Sequence, residues 1–471
     1  MTAAQLVDFF REPLLETIGI TAGALFIAIV VGAPLGVAIA AGGPLGRFVA
    51  AVAGLVRAIP DLVLAIVFVA AIGFGPAAGT LALGLQNAAV GAKLFAELLL
   101  SVRREPADAL RASGATPVAA FLVGLLPTAY PAIVSFAAYL ADCVIRNSVI
   151  VGVVGGGGLG AAIMQALNLA DFHAFALYFA GIALLVVLFD AYGQWLRTRA
   201  PAWAAAATLL LTGIVGAGAF AALSSTPFAR FAQAPGRIVH FVVRAFPPQF
   251  DATVLHAALV GAGETLAVAA IGTIGGALLA IPVAWLTARP IASGWMRGSG
   301  WRPWSAVPEL IARLGLSGLR SIPYVAMGLL AVLLVGLGPR AGAFALIAIT
   351  AASLGRLLAE TLDVGPFAPA EALVAGGATA TAGALVGIVP DALPMFATHV
   401  LYRWEYNIRA STILGMVGAG GLGQRIFNAQ ELLFYHQLLA YVIVAVVLVL
   451  ASDAVGEQLR RRLVVDAAMR A

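Results

Sequence analysis

The chain has 471 residues, of which 62% are hydrophobic and only 10% charged, against roughly 45–50% and about 25% in an ordinary soluble domain. That balance excludes a water-soluble globular protein, and a single cysteine, Cys143, excludes an intrachain disulfide framework. The formal charge of +5 comes from basic residues scattered between apolar runs, so membrane topology explains it better than affinity for nucleic acid.

In chain order, the opening MTAAQLVDFFREPLLE carries acids and no basic run before the first apolar stretch, so no cleavable signal peptide is expected. Runs apolar over the roughly 20 residues that cross a bilayer fall at 18–41, 49–72, 78–100, 117–140 and 172–196. An extra run at 202–223 and a polar, proline-containing stretch at 224–251 follow. Five more runs lie at 262–287, 308–335, 341–361, 380–402 and 434–456. The expectation is an all-α polytopic membrane protein of about eleven spans. It divides into a first unit over 1–200, a linker helix with an external loop over 201–250, and a second unit over 251–471.

The two units are copies of each other. Residues 57–160 align without a gap on 320–423 at an offset of 263, and 44 of the 104 positions are identical. RAIP at 57–60 meets RSIP at 320–323, and VVGGGGLG at 153–160 meets MVGAGGLG at 416–423. Glu16-Thr17 in the first helix matches Glu264-Thr265. Low-complexity similarity would not hold Arg, Pro, Glu, Tyr and His in one register. A five-span unit ends on the side opposite its start, so the extra helix restores the orientation and makes the halves parallel. Placing 18 of the 27 basic residues inside requires an external N-terminus and a cytoplasmic C-terminus. Parallel halves imply a pseudo-two-fold axis along the membrane normal, with a pathway at their interface.

Between the third and fourth spans of each unit, a loop reads PADALRASGA at 106–115 and PAEALVAGGA at 369–378, followed by Leu126-Pro127 and Val389-Pro390. Pro106 and Pro369 suit a helix start, the acid that follows suits the first turn, and Gly114 or Gly377 suits the end. This pattern resembles the EAA loop of bacterial ABC-importer permeases. That resemblance implies that Asp108, Ala109 and Gly114, with Glu371, Ala372 and Gly377, dock on an ATP-binding subunit. Asp108 stands where the family has Glu, which predicts weaker docking in the first half. The segment at 393–423, with Tyr402-Arg403, Asn407-Ile408-Arg409 and Val417–Gly421, is similar to the permeases of phosphonate-class importers. The first half keeps Tyr139 and Arg146 but has Leu140 and Val144 where the second has Arg403 and Asn407.

The resemblance implies a type I ABC-importer transmembrane fold. It further implies a homodimer of separate ATPases that binds the ATP and magnesium, a periplasmic or lipid-anchored binding protein, and the bacterial inner membrane as location. No cofactor is expected in this chain itself. A phosphate-binding GxxxxGK[ST] loop is absent, and the only lysine, Lys93, lies in an apolar helix. Phosphonate, phosphite or phosphate is the implied cargo; methionine, betaine or an ion-coupled mechanism are the alternatives.

Arg146 and Arg409 precede the glycine-rich turns, read as flexible elements near the external mouth. There they, with Asn407, are candidates for an oxyanion path or external gate, or else for interfacial anchors. Lys93 with Glu97 and Arg356 with Glu360 are i,i+4 pairs, candidates for a cytoplasmic gate or plain helix-surface pairs. His173 and His436 recur without an acid relay, so a structural use is expected. Asp190 and Asp453 are expected to cap helices or pair with arginine. No metal-ligand spacing or catalytic constellation is present in the sequence.

Overall fold

A computed structural model of the protein describes residues 3–198, 207–208, 211–212, 214–216, 218, 228–288, 306–364 and 367–470. Among them no residue is in a strand. The chain folds into two compact units, Met1–Arg244 and Ala245–Ala471. The first holds α1 (Ala3–Ala41), α2 (Gly43–Ala58), α3 (Asp61–Ile72), α4 (Pro76–Ser101), α5 (Glu105–Ala112), α6 (Leu126–Val151), α7 (Gly158–Asn168) and α8 (Phe172–Thr198). α9 (Phe228–Ala245) spans the boundary. The second holds α10 (Ala252–Thr287), α11 (Ala306–Ser321), α12 (Tyr324–Val335), α13 (Pro339–Val364), α14 (Ala368–Ala375), α15 (Ala380–Gly387), α16 (Val389–Leu414), α17 (Gly421–Glu431) and α18 (Tyr435–Arg470).

Among the described residues, seven helices are long and apolar enough to cross a membrane, and three bent pairs raise the number to ten. These ten match the expected runs in order, while the eleventh, 202–223, lies largely outside the described residues. Four of the expected runs need correction. The runs 49–72 and 308–335 are each two helices: α2 meets α3 at 89°, and α11 meets α12 at 95°. Proline is the cause. Pro60 forces Ile59 into an extended conformation (φ −75°, ψ 125°), so α2 ends at Ala58 and a new helix starts beyond the proline; Pro323 stands at the same place in the second copy.

The run 117–140 begins and ends too early, and the run 380–402 ends too early. In the first unit a π-helical turn at Ala120–Leu125 leads into α6, and the crossing stretch is Ala132–Gly156. In the second, α15 bends by 62° into α16. Hydropathy stops short because α6 carries Asp142 and Arg146 and α16 carries Glu405 and Arg409, and these charges are neutralised inside the fold. The stretch 224–251 is also no simple loop: it contains α9, whose Ile238 packs on the cluster of Val69, Ala71, Ile72, Ala77 and Ala78.

Small residues let the helices approach closely. A Cβ on Gly32 would lie 2.9 Å from the carbonyl oxygen of Ala88, which brings α1 against α4. The second unit repeats this pairing as α10 on α13, where a Cβ on Gly276 would lie 2.5 Å from Thr350 Cβ.

The glycine-rich turns are anchored rather than flexible. The Gly158 N–H donates to Glu16 Oε2 (2.7 Å) and the Leu159 N–H to Thr17 Oγ1 (2.8 Å). Gly421 and Leu422 donate likewise to Glu264 Oε2 (2.8 Å) and Thr265 Oγ1 (3.0 Å). The first helix of each unit therefore caps the helix that leaves the turn, placing an acid where the helix dipole favours it. The turn itself needs glycine: Gly155, Gly157 and Gly158 have φ of 95°, 82° and 73°, repeated at Gly418, Gly420 and Gly421 as 96°, 77° and 76°. One more bond ties each turn to the loop after the bent pair, from Gly75 N–H to Gly155 O and from Gly338 N–H to Gly418 O, both 2.8 Å.

α10 starts at Asp251, whose carboxylate accepts from the Val254 N–H at 2.8 Å. Hydrogen bonds from Thr253, the Val254 N–H and Gln249 pull this carboxyl down to about 2. A lowered folded-state value means that the stabilisation is complete above the ordinary carboxylate range and fades as pH falls through about 2. The cap therefore survives acidification to pH 4.

A Cβ on Gly423 would overlap the Thr412 carbonyl oxygen, whereas one on Gly263 meets nothing within 4 Å. Gly423→Ala should cost about 1–3 kcal/mol through overpacking and lower the melting temperature of the purified protein in detergent. Gly263→Ala should leave it unchanged or higher; equal melting temperatures for the two variants would contradict the packing described.

Candidate functional site

Two short helices, α5 and α14, occupy the loops singled out by sequence. Each carries proline in its first turn with Asp108 or Glu371 close behind. Each ends in the same glycine motif: Gly114 N–H donates to Arg111 O (3.0 Å) and Ala115 N–H to Leu110 O (2.9 Å), repeated as Gly377 to Val374 and Ala378 to Leu373, both 3.0 Å. Gly114 and Gly377 take φ of 91° and 95°. Asp108, Ala109, Gly114, Glu371, Ala372 and Gly377 are all exposed, as a docking face requires.

The opposite face is seated on glycine. A Cβ on Gly124 would lie 2.6 Å from Ala107 Cα, and one on Gly387 would lie 2.5 Å from Ala370 N. Ala370 is fully buried, in a cluster with Ala284, Leu358, Leu362, Ala384 and Ile388. The short helix thus rests directly on the backbone of the helix that follows it. Gly124 and Gly387 stand 263 residues apart in the repeat, a signal that sequence reasoning left unused.

Several charges within the described spans are paired. Arg146 bonds Asp142 one turn earlier on α6. On α16, Arg409 bonds Asp453 of α18, and Glu405 bonds Arg460, both side chains about a tenth exposed. Arg460 also reaches Glu457 (3.1 Å) and lies 4.1 Å from the centroid of Tyr402. Gly456 makes room for the Glu405 carboxylate, since a Cβ there would overlap it. Arg425 bonds the capping Glu264 at 3.1 Å.

Asn407 is completely buried and donates to Thr273 Oγ1 (2.9 Å) and Thr350 Oγ1 (3.0 Å), tying α16 to α10 and α13. In the first unit the buried Asp61 accepts from Asn147 Nδ2 at 2.8 Å.

The family described as "Binding-protein-dependent transport system inner membrane component" matches residues 28–224 and again residues 294–465. The chain belongs to this family. The phosphate-import permease protein PhnE of Mycolicibacterium smegmatis is 29% identical over 423 residues, covering 87% of this chain and 76% of that protein. The putative phosphite transport system permease protein HtxC of Stutzerimonas stutzeri is 33% identical over 224 residues, covering 48% of this chain and 75% of that protein. Among solved structures, an inward-facing MetNI methionine ABC transporter chain is 25% identical, with a TM-score of 0.39 over 43% of this chain and all of that one.

Within this permease fold the expected path residues separate. Arg146 and Arg409 lie inside crossing helices rather than at a mouth, each held by a carboxylate, and Asn407 is sealed among threonines. Lys93 with Glu97 (3.7 Å) and Arg356 with Glu360 (2.7 Å) form within single helices. Each pair is partly exposed, an arrangement worth under about 1 kcal/mol and one that bridges no two elements. His436 Nδ1 contacts Pro247 O at 2.9 Å, a structural tie within the second unit. Asp453 pairs with arginine as expected, while the side chain of Asp190 lies outside those described. Asp61, Asp142, Glu405 and Arg460 were missed. For the two α6/α16 acids the signal was available, since 142 and 405 match at the repeat offset.

Removing one partner of a buried ion pair costs about 3–5 kcal/mol, while replacing both by apolar side chains does not. Arg460→Met should therefore sharply lower the yield of folded protein and its melting temperature, and adding Glu405→Met should recover most of the loss. No recovery in the double variant would show that the pair is not the unit that holds α16 on α18.

Proposed function

We propose that this chain forms the translocation pathway of an ATP-driven importer for phosphate, phosphite or phosphonate oxyanions, with both membrane halves supplied by one polypeptide. The carrying observation is the twice-repeated short helix, exposed on its acidic face and seated on glycine behind. The names of the relatives support the cargo class. α5 and α14 face the cytoplasm and each receives one copy of a separate ATPase that holds ATP and magnesium. A binding protein delivers the anion from outside, in the bacterial inner membrane, with an external N-terminus and a cytoplasmic C-terminus.

The geometry supplies a lever. When the ATPases close, they push α5 and α14, and because Ala107 and Ala370 touch the backbone at Gly124 and Gly387 the push passes into α6 and α16. Each of these runs 26 residues, about 39 Å at 1.5 Å per residue, and ends at a glycine turn tied to the first helix of its unit. Motion at one membrane face thereby reaches the other without a flexible joint.

Reconstitution in liposomes with the ATPase and binding protein tests this reading. Uptake of radiolabelled phosphate or phosphite should require ATP and persist with an ionophore; uptake that collapses with the ionophore while ATP remains would establish an ion-coupled transporter instead. Glu371→Lys and Gly377→Leu should lower uptake per ATP hydrolysed by about tenfold or more, the scale of a lost interfacial charge contact, and should exceed the effect of the same changes at Asp108 and Gly114. Gly387→Val touches no partner and should uncouple as well; full coupling in that variant would refute the lever.

A further inference from the structure

Six arginines in the crossing helices or their capping contacts have carboxylate partners among the described residues: Arg146, Arg313, Arg356, Arg409, Arg425 and Arg460. Arg403 on α16 has none among the described residues. Its Nη2 donates to Ser353 Oγ (3.1 Å) and to Ile349 O (3.4 Å). Its Nε is buried without a hydrogen-bond partner. The guanidinium carbon lies 5.6 Å from the Tyr324 ring centroid and 5.3 Å from that of Tyr406. Aromatic faces stabilise a cation without neutralising it, so a net positive charge remains.

That charge sits deep. The stretch equivalent to the crossing segment Ala132–Gly156 is 395–419, and residue 403 lies four positions, about 6 Å, from its middle. An uncompensated ion at such depth is expensive, and ionisable groups inside a membrane mark substrate and ion pathways. The guanidinium is also reachable: Arg403 is half-buried, and Tyr406 beside it is exposed. A guanidinium fork with unused donors, flanked by two rings and a serine hydroxyl, fits an oxyanion through charge-assisted, bidentate hydrogen bonds.

The first unit lacks this arrangement. At the repeat offset, Leu140 stands for Arg403, Asp61 for Tyr324 and Cys143 for Tyr406. Among the described residues, such a tyrosine-flanked cation therefore stands in the second half and not at the matching place in the first. We infer that Arg403, between Tyr324 and Tyr406, is the point at which the transported phosphorus oxyanion is held during its passage. This assignment rests on the oxyanion-importer reading and replaces Arg409 and Arg146, whose charges are already spent on Asp453 and Asp142.

The test is uptake by the complete complex in liposomes, with inorganic phosphate, phosphite and methylphosphonate as probes, for the unchanged chain and for Arg403→Gln and Arg403→Lys. Arg403→Gln should slow uptake of the probes that the unchanged chain carries by roughly 10- to 100-fold, the loss of one charge-assisted hydrogen bond. Arg403→Lys should retain more uptake, because it keeps the charge and loses only the fork. Both variants should keep the melting temperature and the ATP hydrolysis stimulated by loaded binding protein. Unimpaired uptake by Arg403→Gln overturns the assignment, as does a loss that tracks a fall in melting temperature and is not relieved by lysine. If the unchanged chain carries none of the three anions, the oxyanion reading itself fails and this assignment with it.

Discussion

Hydrocarbon supplies no hydrogen bonds, so each polar group carried across the bilayer must find its partner inside the protein. The glycine turn after α6 and α16 is where that requirement is hardest to meet, because a helix starts there with several N–H groups unpaired. Glu16 and Thr17, and again Glu264 and Thr265, answer those groups from the first helix of the unit. The same bonds join the first helix, the long fourth span and the short helix after it, so the rest of each unit is built around one cap. Positive φ angles at three glycines per turn allow the backbone to reach it.

Partnering also explains how so few charges can be spread through so apolar a chain. Glu405 and Arg460 are 55 residues apart, yet each makes the other tolerable within the second unit. Where the described residues supply no carboxylate, as at Arg403, the cost of the charge requires another account, and the proposed anionic cargo provides one. The two halves diverge at that point: the first carries an Asp61–Asn147 hydrogen bond and apolar Leu140, the second a tyrosine-flanked cation. The helices and the proline–acid–glycine loops repeat in both halves, while Asp61, Leu140 and Cys143 differ from Tyr324, Arg403 and Tyr406 at the matching positions.

Much of this was legible in the sequence. Hydropathy gave ten of the crossing segments in order, because lipid exposure leaves a composition signal that local windows capture. The repeat gave the docking loops, because proline, acid and glycine fall at spacings with a local helical meaning. The bends at Pro60 and Pro323 were written in RAIP and RSIP, although a hydropathy window averages across them. The true extents of α6 and α16 were not legible in this way, since Arg409 reads as the end of a span until Asp453 is known to lie beside it. For the same reason sequence favoured Arg409 over Arg403 as the anion contact. Both are arginines in a family-like motif, and only three-dimensional proximity reveals that Arg409 has an acid, Asp453, beside it.

The central claim is that one polypeptide provides both membrane halves and both docking helices. Native mass spectrometry of the complex, purified with its ATPase from detergent, tests it most directly. The account predicts a single 48.0 kDa chain bound to two ATPase copies, with one copy lost when Glu371 and Gly377 are both replaced. A complex containing two permease chains for two ATPases, or a permease that carries no ATPase at all, would contradict it.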